Sequence, residues 1–506
     1  MIKLLFLQTF FLSFFPFIIL MIFIGCRWLS FRSKTKKSLP PSPWKLPIIG
    51  NFHQLGSSPH RSLHSLSLKH GPLMLIHLGN VPVLVASSAK AAMEIMKFHD
   101  LSISGRPRLM MTNILLYGCK DIAFSPYGEY WRQLKSIVIC HLLSNKQVKS
   151  FRRMREEEIG VTIGMLAESC GSTVDLGGLI VSLANKITCR VAFGRTYDHH
   201  GSKFTSLLIR FMNMLGVFCV GDYIPWLSWV DRLKNLEGNA KKIATEFDDF
   251  LDCVLKEHRS KKKGEDAKSD KDQDLVDILL DVQKNETTGF TLGDDTLKGV
   301  ILDMFSAGTD TTYTSLEWAV SELIKHPSVM KKLQQEATII AQGRSTILEE
   351  DLEKMQYLKA VIKESLRLHA TVPFLPRETT EDVKLMGYDI PVGTQLLVNA
   401  WAIGRDPTVW EDSNKFMPER FLKDNSTSTY YQSTHYDWLP FGAGRRGCPG
   451  IQFATTIMEL ALANMVHKFD FALPNGVKNE DIDMSETYGI TVHKKSSLMV
   501  VASQRF

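Results

Sequence analysis

Residues 441–450, FGAGRRGCPG, constrain this chain more than any other stretch, because they set one cysteine, Cys448, in a glycine-rich turn. Glycine takes up the positive φ that a tight turn needs and lets backbone N–H groups approach the sulfur. Residues 451–467 follow with helical periodicity, so Cys448 also precedes a helix N-terminus, whose partial positive charge favours a thiolate. Such a thiolate is a metal ligand. A lone cysteine in a glycine-rich loop would be read as a buried structural residue, and the complete pattern overrides that reading.

As the axial ligand of haem iron, a thiolate pushes electron density onto the metal and promotes O–O cleavage, with backbone hydrogen bonds tuning the push. Phe441 opens the pattern, and Arg446, two residues before the cysteine, can reach a haem propionate with a charge-assisted bond. At this point the chain resembles the cytochrome P450 family, and its other motifs fall in that family's order. Glu364-Ser365-Leu366-Arg367 looks like the family's E-x-x-R helix, where i,i+3 spacing puts carboxylate and guanidinium on one face. The resemblance adds Arg420, in residues 418–421, as the third member of a charge network behind the haem. Such a network is expected to fix geometry rather than add stability.

Residues 307–312, Ala-Gly-Thr-Asp-Thr-Thr, lie inside an apolar helical stretch beginning near Leu297. Glycine and threonine are poor helix formers, so the hydrogen-bond ladder can open there and admit a hydroxyl or water. Taken alone this is a kinked helix with a wet side. The resemblance makes Thr311 the hydrogen-bond partner of dioxygen at the haem and Asp310 its link to solvent, with Ala307 facing the haem. It likewise implies propionate contacts from Trp131, Arg132 and Lys135 on one helix and from Arg377 after Pro376. A cationic face near the haem would attract an acidic electron donor, by resemblance an NADPH-dependent reductase.

The substrate is expected against Ala307, Val372 and Phe374, with Leu115, Thr487 and Ile490 closing the cavity. Ordinary core packing is the alternative for each. After Arg367 the chain has Ala370 where relatives commonly have proline, and one apolar residue fewer before Pro376, which leaves open whether Val372, Phe374 or Leu375 points at the iron. An apolar lining gains free energy from buried area and offers little to pair a charge, so the substrate is expected to be neutral and hydrophobic. Asp303 either bonds a substrate hydroxyl or braces neighbouring helices, and bracing is favoured.

Residues 4–25 are almost wholly Leu, Ile, Phe and Met, and roughly twenty such residues cross a bilayer. They read as an anchor rather than a cleaved signal, since no small-x-small site follows. Lys3 precedes the run while Arg27, Arg32, Lys34, Lys36 and Lys37 follow it, which sets the rest on the cytosolic face, expected at the endoplasmic reticulum. The sequons at Asn285 and Asn425 are then chance matches. A net charge of +6 over 506 residues, with no basic helical face, argues against nucleic acid. Eight scattered cysteines without a C-x-x-C pair argue against disulfides or zinc.

Three segments are expected: an anchor at 1–26, a basic and proline-rich hinge at 27–50, and a catalytic domain at 51–506. The domain should be mainly α with small β-sheets. A hairpin is expected at 73–85 around Gly79-Asn80, helices over 89–98, 130–143, 297–324 and 358–368, and a solvated loop at 260–274. By resemblance this is the cytochrome P450 fold, carrying haem b, using dioxygen, and meeting membrane lipid through the anchor. The expected reaction inserts one oxygen atom into a small specialised metabolite, a terpenoid before a coumarin or alkaloid. The rivals are a haem-thiolate isomerase or dehydratase that needs no reductase, and a non-catalytic membrane scaffold.

Overall fold

A computed structural model of the chain describes residues 21, 38–196, 201–261, 273–285, 292–422, 431 and 434–506. The alternating segment near the start forms the expected hairpin. Strands β1 (Leu73–Leu78) and β2 (Val81–Ala86) pair antiparallel, with Leu73 opposite Ala86, and Gly79 turns between them at φ +57°. Downstream, β3 (Phe374–Glu378) and β4 (Gln395–Asn399) complete a four-stranded sheet in the order β1-β2-β4-β3. The parallel register of β2 with β4 begins at Val83, so Pro82, which has no N–H to give, stays outside it.

The rest is mainly helical. Helix α1 (Glu129–Ile137) widens into a π turn at Val138–Leu142, so the predicted helix is continuous with a local change of pitch. Helix α2 (Leu176–Phe193) starts where the Asp175 carboxylate accepts from Gly178 N–H at 2.9 Å and stops at Gly194, φ +72°. Helix α3 (Asp294–Lys325) has 32 residues and is buried on nearly every side, as a helix through the middle of a large core must be. Helices α4 (Gln356–Leu368) and α5 (Ile451–Lys468) pack on it. Leu302, Phe305 and Leu316 of α3, Ile180 and Ile187 of α2, and Ile457 and Leu460 of α5 are almost fully buried, each contributing about 1.5–3 kcal/mol. A C-terminal hairpin of β5 (Glu486–Tyr488) and β6 (Val492–Lys494) closes over α3, with His493 opposite Thr487.

The anchor expected at 1–26 and the first part of the hinge lie outside the described residues, residue 21 apart. Among the described residues α2 is the one helix long and apolar enough to cross a membrane, and it is a core helix, 67% buried. From residue 38 the expected hinge is hydrogen-bonded to the domain. Ser38 O accepts from Asp389 N–H at 2.7 Å and Pro41 O from Leu75 N–H at 2.8 Å. Prolines fix φ but keep their carbonyls, and the sheet uses one of them.

The solvated loop also ends early. Residues 262–272 and the sequon at Asn425 lie outside the described residues, but Asp274 is buried. Its carboxylate lies 3.1 Å from His258 Nε2 and accepts from Asp277 N–H at 2.9 Å, capping the helix Leu275–Asn285. Partners at that distance along the chain were invisible in a run of charged residues.

Candidate active site

The turn around Cys448 is fixed by its own backbone. Cys448 N–H donates to Phe441 O at 2.9 Å and Gly447 N–H to Gly444 O at 3.0 Å. Gly450 N–H points at Cys448 Sγ at 3.3 Å, and α5 starts at once with Ala454 N–H on Gly450 O. Gly444 sits at φ +68°, and a Cβ there would come within 2.5 Å of Met96 O and Asp100 Oδ1, so both space and conformation demand glycine. Burial pushes the Cys448 thiol up, while Gly450 N–H and the Lys135 ammonium pull it down. The side chain is nevertheless exposed. A group enclosed by protein yet open at its surface lines an internal cleft.

Cations gather along that cleft. Arg446 is buried and donates to Ser104 O at 2.9 Å and Ser125 O at 2.7 Å, with its guanidinium carbon 4.2 Å from the centroid of the Trp131 ring. Trp131 Nε1–H donates to Ile122 O at 2.9 Å. Lys135, one turn along α1, lies 5.1 Å from the same ring and reaches the carbonyls of Arg445 and Gly447. Arg377 is buried and donates to Ala443 O at 3.4 Å. Arg106, which sequence reasoning missed, donates to Ala123 O at 2.9 Å and to Pro376 O.

Burial first and mutual repulsion second depress these cations. Arg446 falls to about 9, Lys135 to about 8, Arg106 by burial to about 10, and Arg377 well below its ordinary value. Asp100 and Asp121 supply the opposing charge. Arg132 stands apart from this group. It is exposed, because one residue beyond Trp131 a helix has turned about 100° away from the Trp131–Lys135 stripe.

Two further walls meet the cysteine turn. On α3, a Cβ on Gly308 would lie 3.7 Å from Phe453 of α5 and 3.5 Å from Thr188 of α2. Ala307 beside it is exposed within an otherwise buried helix. Thr311 Oγ1 donates back to Ala307 O at 2.8 Å, and the hydroxyls of Thr309 and Thr312 are buried without a protein partner. Asp310 is buried and accepts from Thr491 Oγ1 at 2.7 Å. Burial raises its pKa, against His493, Thr491 and Tyr313, which lower it.

The second wall is β3, whose alternation sends Leu375 and Arg377 to one side. A Cβ on Gly442 would meet Leu375 at 3.7 Å. Phe374 goes the other way, into a cluster with Met74, Ile76 and Val85.

A family model, Cytochrome P450, matches residues 40–501. The chain belongs to the cytochrome P450 family. Its relatives include Cytochrome P450 Tp4149 of Tanacetum parthenium, 59% identical over 501 residues and covering 99% of both chains. A 3-beta-hydroxylase of the same plant is 54% identical over 503 residues, again 99% of each. Among solved structures, a zebra fish cytochrome P450 with abiraterone superposes with a TM-score of 0.75 at 25% identity, over 89% of this chain and all of that one.

This P450 is therefore a haem-thiolate monooxygenase, its haem iron ligated by Cys448. The residues fit that group. The cleft holds an open sulfur at a helix N-terminus, and Arg106, Arg377, Arg446 and Lys135 share too little negative charge, which two propionates would supply. Arg446 uses three of its N–H directions on backbone carbonyls, leaving part of its donor fork free.

The remaining sequence motifs distribute unevenly. Glu364 and Arg367 are fully buried, with Arg367 donating at 2.7 and 2.8 Å and Arg420 at 3.0 Å to the same carboxylate. Met417 N–H adds 2.9 Å. The structure thus brings all three together and ties the segment around residue 417 to α4.

Of the substrate candidates, Ala307 is exposed on α3 and Val372 is half-buried, whereas Thr487 is exposed on β5. Leu115 is 2% exposed in the main core. Ile490 approaches Gly216. Phe374 packs on the opposite face of the sheet, and Leu375, one of the three residues left open, lies beside the cysteine turn. Asp303 is a brace: it accepts from Ile122 N–H at 2.6 Å and Ala123 N–H at 3.4 Å, holding the segment whose carbonyls receive Trp131, Arg446 and Arg106.

Proposed function

We propose that this P450 inserts one oxygen atom from dioxygen into a small, neutral, hydrophobic specialised metabolite, a terpenoid before a coumarin or alkaloid, using NADPH electrons delivered by a reductase. The observation that carries this reading is Ala307, a small side chain left exposed in the middle of a buried helix, one turn before Thr311. An apolar group resting there loses water contact and gains about 25 cal/mol per Å², and a methyl group offers no partner to an ionic substrate. The printed activity of the hydroxylase relative agrees in reaction type.

Bound haem supplies dioxygen activation. The protein's part is to hold Cys448 as thiolate, to clasp the propionates with Arg446, Trp131, Lys135, Arg377 and Arg106, and to move a proton through Asp310 and Thr311. A hydroxyl and a carboxyl at adjacent positions of α3 favour monooxygenation over the isomerase or dehydratase reading, which needs no proton from solvent. Membrane attachment by residues 4–25, with the domain on the cytosolic face of the endoplasmic reticulum, is supported by an apolar rim. Trp44, Ile48, Phe218, Trp226, Trp229 and Leu233 are exposed, and Phe52 joins their two segments through its ring contact with Phe218 at 4.9 Å. Exposed Trp and Leu in such number suit a lipid interface.

The test is turnover by microsomes containing this chain, a reductase and NADPH, screened against terpenoid, coumarin and alkaloid panels by mass spectrometry. A product heavier by one oxygen, absent without NADPH, is expected. Turnover that persists without reductase would favour the isomerase or dehydratase, and no turnover of any panel would favour the scaffold. In Thr311→Ala, NADPH consumption should continue with much of it diverted to peroxide.

A further inference from the structure

His493 sits where a proton would enter the path to Asp310. Its Nε2 is 2.6 Å from Thr491 Oγ1, and Thr491 Oγ1 is 2.7 Å from Asp310 Oδ2. On the other side of the ring, Nδ1 is 2.8 Å from Thr314 Oγ1 and 3.1 Å from Tyr313 OH. Thr314 spends its one hydrogen on Asp310 O at 2.7 Å, so it can only accept from the imidazole. The Tyr313 hydroxyl is also hydrogen-bonded to the Asp310 carboxylate, so both neighbours of Nδ1 can accept from it; Nδ1 then keeps its proton, and the mobile position is Nε2. The Tyr313 ring stacks on the imidazole at 5.4 Å and 15°, fixing its plane. The side chain is 25% exposed, against 5% for Asp310, and so is the member of the chain that meets water.

We propose that His493 is a proton-relay residue which charges from solvent and passes its Nε2 proton through Thr491 to Asp310. The proposal rests on the reading of Asp310 and Thr311 as the proton path and extends it to the surface. The chain has two hydrogen-bonded states with the same number of protons, which differ in where one proton resides. In the first, Nε2–H donates to Thr491 Oγ1 and Thr491 O–H donates to the Asp310 carboxylate. In the second, neutral Asp310 donates to Thr491 Oγ1 and Thr491 O–H donates to Nε2. Passage between them breaks one N–H and one O–H bond and makes two O–H bonds. His493 loses the proton that Asp310 Oδ2 gains, and water restores it; no electron moves.

Tyr313 faces the relay and hydrogen-bonds Asp310, and His493 Nε2 itself lies 3.6 Å from Asp310 Oδ1; the remaining charged and titratable groups have other partners. On α3, Glu317 accepts from Leu498 N–H at 3.2 Å. Strand alternation turns Lys494 away from His493, towards the Trp318 ring at 5.3 Å. Across the hairpin Glu486 pairs with Arg61 and His60, and Tyr488 stacks on His60 at 5.9 Å. Thr487, the direct partner of His493, does not titrate.

The test combines His493→Gln, Thr491→Val and Asp310→Asn in the full chain. The infrared band of the protonated Asp310 carboxyl, assigned by its loss in Asp310→Asn, reports the proton without turnover. Because the imidazolium lowers the Asp310 pKa, the band in His493→Gln should persist to higher pH than in the parent. During turnover, His493→Gln and Thr491→Val should each raise the peroxide formed per NADPH several-fold, and the double variant should be no worse than either. A band midpoint unmoved in His493→Gln, or additive effects in the double variant, would overturn the relay. If Asp310→Asn itself leaves coupling intact, the underlying proton path fails, which is a separate result. Should His493→Gln not load haem, Thr491→Val alone decides the matter by the same two measurements.

Discussion

The guanidinium carbon of Arg446 lies 4.2 Å from the centroid of the Trp131 ring, so the residue two before the thiolate is clamped to α1 by a cation–π contact. The contact fixes the guanidinium against the ring, and both partners are buried.

Arg446→Leu should weaken haem binding, since charge-assisted hydrogen bonds contribute about 1.5–3 kcal/mol each. Haem loss to an excess of apo-globin acceptor is expected to accelerate about ten- to a hundredfold. Arg446→Lys should fall between, having charge but no planar fork. A loss rate equal to the parent's would remove Arg446 from the clasp.

Glu486 predicts a pH dependence of stability. Burial alone would raise its carboxyl, but hydrogen bonds from His60 and Arg61 hold it at about 2. A depressed folded pKa contributes stability that is present above the unfolded value, about 4.3, and lost as pH falls through about 2. The contribution is on the order of 3 kcal/mol. Glu486→Gln should therefore lower the thermal midpoint at neutral pH, and the gap between variant and parent should close between about pH 4.5 and pH 2. A gap that stays constant with pH would show that the ion pairs are not its source.

Ala307→Leu should block turnover or move the oxidised carbon by projecting a larger side chain from α3, with the haem spectrum unchanged. Overpacking a tight wall costs about 1–3 kcal/mol, enough to redirect a substrate held by apolar contact alone. The same product at the same rate would mean that α3 does not form the substrate wall.

Much of this was legible because it is local. The turn at Cys448, the i,i+3 pair Glu364–Arg367 and the long apolar helix each announce themselves within a few residues of sequence, and the alternation of residues 73–86 set the first hairpin. What stayed hidden depends on pairing across the chain. Arg106 looks like any surface arginine until Pro376 and Ala123 are brought beside it. Asp274 lies in a charged run but finds His258. Phe374 and Leu375 differ by one position, and strand alternation sends them to opposite faces, so an uncertain register before Pro376 left open which one meets the cysteine turn. His493 and Thr491 could not be tied to Asp310 from a separation of about 180 residues.

The most direct test of the account is the carbon monoxide spectrum of the reduced protein with and without the Cys448 sulfur. The parent should give the long-wavelength Soret band that reports thiolate ligation, and Cys448→Ala should lose that band while keeping its helical far-ultraviolet signature. An unchanged band in Cys448→Ala would contradict the assignment of the iron ligand, and with it the site built around that turn.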